Sequence, residues 1–363
     1  MYSTTPQTGS DSGPVLTLAD VADAFAGGRD YLAACTGGLP PRAAVAAMAA
    51  DLERAPHRGP DMSALTASVA AARAEAARIL GVSSDDVAIG SQTSVLVSLI
   101  AANLPDGAEV LGADGDFSSL LLPFVYAGRD IRIRTVPLAD LAGEVRSDTA
   151  LVAFSLVQSA TGAVADADAI VTAARTHGAR TLCDLTQAAG WMPVDASRFD
   201  VAVCHAYKWL CAPRGVAFLA LSPEYARTLR PVQAGWYAGD DPWSSCYGTE
   251  ALLAPTARRF DVSPAWQAFI GAEPALALFA EAPMAAIQVH TTGLAAAFRA
   301  SLGLPEPGTP SAIVTWPDAD GSDLRRLTAS GISASGRAGR ARVAFHVFND
   351  ADDVARAVAA LRP

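Results

Sequence analysis

Between Gly81 and Leu221 the chain repeats one pattern, a short apolar run of strand length followed by a stretch with helical spacing. The runs fall at 87–89, 108–111, 131–135, 150–156, 180–183, 200–204 and 215–221, with helical stretches between most of them, notably 92–103, 118–127 and 166–176. Alternation of this kind constrains the chain to an α/β fold built on a mostly parallel, seven-stranded sheet covered on both faces. Two helices precede it, at about 41–53 and 63–80. From about 235 the order changes to aromatic loops, helices near 265–281 and 284–302, short strands and a final helix at 350–361. The expected organisation is a large domain over 51–234 and a smaller α+β domain over 235–363. Residues 15–50 are expected to pack with the smaller domain, and 1–14, rich in Ser, Thr and Gly, read as a disordered tail.

Ligands of a parallel sheet bind at the carboxyl ends of its strands. One of those ends carries Lys208, the only lysine in a chain whose basic residues otherwise are all arginine. Arginine keeps its charge permanently, whereas a desolvated lysine can lose its proton and form a Schiff base with a carbonyl. Lys208 follows the apolar run Val201-Ala202-Val203-Cys204, which reads as a buried strand. A second end carries Asp184, 24 residues earlier, closing the apolar Thr181-Leu182-Cys183. A carboxylate there must be solvated, paired or functional, or it caps the turn that follows. A third end, Ile89-Gly90-Ser91-Gln92-Thr93-Ser94, leads into a helix whose first N–H groups, with the Thr93 hydroxyl, can cradle a phosphate. Ser and Thr also cap helices that bind nothing. A lysine for a Schiff base, a carboxylate for a pyridinium nitrogen and a phosphate cradle are together what pyridoxal 5'-phosphate requires. An aldolase-type lysine would not need the upstream Asp184.

With these residues in place the chain resembles, from Tyr31 to its carboxyl end, the class V aminotransferase family of fold-type I enzymes, which includes kynureninases, cysteine desulfurases and isopenicillin N epimerase. Ala206-Tyr207-Lys208-Trp209-Leu210-Cys211-Ala212-Pro213-Arg214-Gly215 resembles the family's lysine motif. The resemblance implies that Lys208 carries the aldehyde, that His205 and Tyr207 lie near the phosphate with Gln92 and Thr93, and that Asp184 partners the pyridinium. It places Gln187 near the ring hydroxyl and Phe117 of Asp116-Phe117-Ser118-Ser119 over the ring; desulfurases commonly have histidine at that position. Gln158, in Ser155-Leu156-Val157-Gln158-Ser159, falls on the loop under the pyridine. Gly235-Trp236-Tyr237 resembles the kynureninase Gly-Trp-Phe, whose tryptophan reaches the phosphate. Ser263-Pro264 stands where relatives have a Gly-Thr that reaches the partner subunit's phosphate, a departure that a serine hydroxyl can offset. Arg342 falls on the arginine that grips the substrate α-carboxylate, a bidentate task suited to a guanidinium. Arg337 and Arg340 are expected to be surface cations.

Other chemistries find no support in the sequence. No GxGxxG opens a strand–helix unit, no GxxxxGK[ST] is present, and the histidines at 57, 177, 205, 290 and 346 have no metal-ligand spacing. A net charge of −10 argues against a nucleic-acid or anionic-membrane partner. Five cysteines without CxxC spacing suggest reduced thiols in the cytoplasm. None lies between Ile332 and Arg342, where long-loop desulfurases carry their sulfur acceptor; Cys246, on a loop, is the one to watch. The expectation is a pyridoxal-phosphate enzyme acting on an α-amino acid as a homodimer, by Cβ or C–S bond cleavage, with transamination second. The third alternative, a catalytically silent relative that binds cofactor or partner, would not need Lys208, Asp184 and Arg342 together.

Overall fold

The computed structural model describes residues 16–362, so the tail expected at 1–14 lies outside the described residues. Helices α1 (Leu18–Asp23), α2 (Arg42–Arg58) and α3 (Met62–Leu80) come first. The alternation follows as β1 (Val87–Gly90), α4 (Thr93–Asn103), β2 (Glu109–Ala113), α5 (Ser118–Val125), β3 (Arg132–Val136), β4 (Thr149–Ser155), α6 (Ala167–His177), β5 (Arg180–Asp184), β6 (Val201–His205), β7 (Ala217–Leu221) and the short α7 (Pro223–Ala226). The remainder is α8 (Trp266–Ala280), α9 (Met284–Leu302), β8 (Ile313–Pro317), α10 (Ser322–Ala329), β9 (Ser335–Arg337), β10 (Arg340–Ala344) and α11 (Ala351–Leu361). Local chemistry sets several of these boundaries. The Asp61 and Asp166 side chains accept from the first turns of α3 and α6, and Gly81 and Gly178 end the same helices in the left-handed region.

Strands β1 to β7 form one sheet in the order β1-β7-β6-β5-β4-β2-β3. The pairs β6·β5, β5·β4, β4·β2 and β2·β3 are parallel, and β7 alone runs antiparallel, between β1 and β6. Six of the seven carboxyl ends therefore open on one edge, including those of β1, β4, β5 and β6. Side-chain alternation splits each central strand between two cores. On β4, Val152 and Phe154 face the core that includes α3, α6 and α8, and Leu151 and Ala153 face the one built with α4 and α5. The apolar runs lacked alternation in the sequence because both faces are covered.

The second sheet, β8-β10-β9, is antiparallel, and a third core joins it to α9 and α11. Tyr31 bridges to Ser333 and Ala33 to Ala344, which lays the 31–38 segment between this sheet and the main one. Helix α8 packs against α2 and α3. A buried ion pair fixes the adjoining chain: Arg73 on α3 donates to both carboxylate oxygens of Asp261, at 3.0 and 2.6 Å, and to Val87 O. Asp261 also accepts from Ile89 N. The pair binds helix, edge strand and the loop before α8 at one point. Asp261→Ala leaves the Arg73 charge buried and unpaired, so we expect a loss of about 3–5 kcal/mol in chemical denaturation. An apolar double replacement, Arg73→Met with Asp261→Leu, should recover most of it; a loss below about 1 kcal/mol for the single variant would show that the pair holds nothing.

Candidate active site

The carboxyl edge of the main sheet assembles the site. Asp184 ends β5, flanked in register by Ser155 on β4 and Val203 on β6. His205 ends β6, and Lys208 follows on the turn beyond it. Gln92 and Thr93 stand at the start of α4, just past β1, and no side chain caps that helix. Its leading N–H groups are thus left for an external acceptor.

Lys208 is 6% exposed, and its amine makes no hydrogen bond among the described residues. The Nζ atom lies 5.3 Å from the Phe117 ring centroid and 5.6 Å from that of Tyr207. Burial pushes its pKa down to about 8, outweighing Asp184, whose charge acts the other way. Asp184 is buried too, and burial pushes its carboxyl up although Thr186 N donates to Oδ1 at 2.8 Å. Desolvation is thus the largest influence on both groups, lowering the amine and raising the carboxyl.

Beside Lys208 lies a cavity of ≈ 200 Å³ lined by Gln92, Thr93, Phe117, His205, Tyr207 and Arg214 among others. His205 Nε2 is buried there without a partner, and burial, with Lys208 and Arg214 adding, holds the imidazole neutral with a pKa of about 4. His205 packs edge-on to Tyr207 at 4.3 Å between centroids, and Arg214 lies 4.2 Å over the other ring. An orphaned nitrogen, uncapped helix donors and an arginine at one end, with an unbonded amine and a buried carboxyl at the other, fit pyridoxal phosphate. Arg214 stood in the lysine motif without an assigned role; its one signal was a cation next to the glycine closing that motif.

Arg342, on β10, is 1% exposed. It donates to Ser335 Oγ at 3.0 Å, to Thr36 Oγ1 at 2.9 Å and to Ser159 O. All three partners are neutral, so the guanidinium is taken out of water without a counter-charge, a state that a carboxylate would complete. The sequence singled out Arg342 but not Thr36, Ser159 and Ser335, which are far apart in the chain.

The remaining candidates are distributed differently. Gln187 is a bracket: its amide donates to Cys35 O at 2.9 Å and accepts from the Trp209 indole at 2.8 Å. Gln158 donates to Asp114 O and accepts from Thr161. Asp116 holds Phe117 in place, accepting from Phe117 N at 2.7 Å and from Ser155 N at 2.8 Å. Trp236 lies tilted against Trp243, with centroids 5.1 Å apart, and Ser263 is exposed; neither lines the cavity of this protomer.

The profile of the class-V aminotransferases matches residues 38–306, and the chain belongs to that family. Isopenicillin N epimerase of Streptomyces clavuligerus is 30% identical over 46% of this chain and 46% of its own length. Kynureninase of Deinococcus radiodurans is 30% identical over 62% of this chain and 57% of its own. The matched region thus spans about half to three-fifths of these relatives. Among solved structures, the cystine C–S lyase C-DES in complex with its product cysteine persulfide superposes with a TM-score of 0.82 at 20% identity, covering 92% of this chain and 97% of that one. The likeness establishes the fold-type I architecture.

The depressed pKa of Lys208 has a kinetic consequence. Only the neutral amine attacks an aldehyde, so capture of pyridoxal phosphate by the apoprotein should accelerate with pH up to about 8 and level off above it. An ordinary lysine would still be gaining at pH ~10. Stopped-flow absorbance measures this, with Lys208→Ala as the silent control; a rate still rising steeply between pH 9 and 10 would contradict the assignment.

Proposed function

We propose that this chain is a pyridoxal-phosphate-dependent enzyme of the class V family that cleaves a Cβ or C–S bond of an α-amino acid. The observation that carries this reading is the buried, unbonded Lys208 amine, with a pKa of about 8, next to the Asp184 strand end and facing a guanidinium without a counter-charge. The cofactor, when bound, supplies an aldehyde and a ring that withdraws electrons from the substrate's Cα. The rest falls to the chain. Gln92, Thr93, His205, Tyr207 and Arg214 would hold the phosphate, and Phe117 would pack against the ring. Asp184 would keep a proton on the ring nitrogen. Arg342 would bind the α-carboxylate and so orient the substrate's Cα bonds.

Lys208 is also the group matched to moving the Cα proton. A base works best with a pKa near the operating pH, and neutral His205, at about 4, is too weak. The names of the relatives, a kynureninase and a cystine C–S lyase, support cleavage at Cβ or sulfur. Transamination is the second reading. Incubation with a panel of amino acids separates them: ammonia, sulfide or a shortened side chain marks cleavage, whereas keto acid formed only with an amino acceptor marks transamination.

The proposal includes a homodimer in the cytoplasm. Tyr247, Tyr126 and Trp243 are 95, 80 and 53% exposed, with Leu122 and Val125 beside Tyr126, and apolar surface of this kind suits an interface. Trp236 and Ser263 lie outside their own protomer's cavity, as residues serving a partner's would. All five thiols are free, which suits a reducing compartment. Light scattering on the eluted protein should give twice 37.3 kDa. A protomer mass at micromolar concentration would count against the dimer.

Arg342 should act on substrate and not on cofactor. A charge-assisted bidentate bond contributes about 1.5–3 kcal/mol, so Arg342→Lys, which keeps charge but loses the fork, should lower kcat/KM by up to ~100-fold. The decarboxylated amine should lose little, and cofactor absorbance should not change. Equal losses for amino acid and amine would mean that Arg342 does not read the carboxylate.

A further inference from the structure

Arg337 lies on β9, the strand that pairs with the Arg342 strand, two residues from Ser335. Alternate residues of a strand share a face. Ser335 stands opposite Arg342 in register and accepts from its Nε, so the face carrying Ser335 and Arg337 is the one turned to the cleft. The other face is occupied: a Cβ on Gly336 would meet Leu324 of α10 at 3.2 Å. Arg337 therefore emerges on the cleft side, about 7 Å along the strand from Ser335. The turn that closes the hairpin, Ala338-Gly339, has φ of 50° and 72°.

Arg337 has little else to do. Its cross-strand neighbour Arg340 is bonded to Thr315 Oγ1 and O, both at 3.2 Å. The one hydrogen bond recorded for the Arg337 guanidinium goes to the carbonyl of adjacent Gly336, leaving most of its five donors free. Neither it, Arg342 nor Arg214 joins any ion pair among the described residues, in a protein with ten more acids than bases. Its charge nevertheless bears on Lys208, Tyr207 and Arg342, disfavouring protonation at each. The side chain is exposed, as expected of a surface cation, and its charge is felt at the site from the surface.

Resting on the function proposed above, we propose that Arg337 binds a second anionic group at the end of the substrate's side chain, so that the preferred substrates are α-amino acids with acidic side chains. With the α-carboxylate on Arg342 and the amine at Lys208, the side chain is the substituent left to extend toward the mouth. Arg337 is the free cation on that face, and no acidic side chain is bonded to it to repel the incoming group.

The test uses holoenzyme and two near-isosteric pairs, L-aspartate with L-asparagine and L-glutamate with L-glutamine, titrated by the absorbance of the bound cofactor. In at least one pair the acid should bind tenfold or more tightly than the amide. In Arg337→Gln that ratio should fall to about one, through weaker binding of the acid with the amide unchanged, and Arg337→Lys should restore part of it. Wild-type enzyme without preference for either acid overturns the proposal, as does a variant that weakens acid and amide equally, since Arg337 would then only assist Arg342. Failure of the underlying function looks different: no cofactor absorbance develops, or borohydride fails to fix the cofactor to Lys208, and the proposal about Arg337 falls with it.

Discussion

The turn that carries Lys208 is gripped from three directions, and the rest of the site depends on that grip. From the amino-terminal side, Gly38 N donates to Tyr207 O at 2.8 Å, and the Gly38 backbone sits so close that a Cβ would fall 2.1 Å from Lys208 O. From the Asp184 loop, Gln187 accepts the Trp209 indole, and Gly190, at a φ of 109°, presses on Trp209 O with no room for a Cβ. From the carboxyl-terminal side, His346 reaches Trp209 O at 2.9 Å. His346 Nδ1 accepts from Val347 N, so the proton is on Nε2 and the bond to Trp209 O is a donated one. Stacked against Phe348 and Trp209 and pushed by burial to a pKa of about 4, the ring stays neutral. His346 lies four residues past Arg342, so this one hydrogen bond ties the segment after the Arg342 strand to the lysine turn.

That rigidity is what makes a buried lysine usable. An amine on a loose turn would swing into water and recover its ordinary pKa; held by its neighbours' backbone, it has no such escape, and desolvation sets its protonation. The same reasoning applies to Asp184, whose strand-end position leaves Thr186 as its neutral partner. A cationic ring nitrogen beside it would draw its carboxyl back toward the ionised form, so cofactor and carboxylate would each secure the other's charge. Protein groups around both ends are fixed beforehand, and little reorganisation is left for the moment of reaction.

Most of the architecture was legible because its causes are local. The strands implied by the apolar runs are present with ends shifted by at most two residues, and α3 and α6 lie within one residue of the helical stretches expected at 63–80 and 166–176. What escaped depends on distance in the chain. The antiparallel course of β7 follows from a short connection after β6, and an apolar run carries no direction. The Arg342 partners come from three segments, with Thr36 306 positions away. Gln187 was placed near the ring hydroxyl by resemblance, but its role as a bracket depends on Cys35 and Trp209 arriving together, which no spacing encodes. The free guanidinium of Arg337 is of the same kind: strand pairing and the leucine behind Gly336 decide which way it points, and in the sequence it is one basic residue among 27.

The charge distribution gives the site a character that the overall composition conceals. A net charge of −10 describes a molecule that repels anions at long range. At physiological salt that repulsion is screened beyond roughly 8–10 Å, so an approaching ligand responds to the groups at the mouth. There the sum is reversed: exposed Arg337 and Arg214 lie outside buried Arg342 and Lys208, while the acids Asp184 and Asp116 are buried, with burial raising both carboxyls. Burial blunts the negative charges and leaves the arginines ionised, since a guanidinium does not surrender its proton. The cleft thus presents positive potential in a low-dielectric enclosure, where each cation acts more strongly than it would in water. An anion that reached it would lose its water shell against groups already in place, and among the described residues no acidic side chain is paired with Arg214, Arg337 or Arg342 to compete with it.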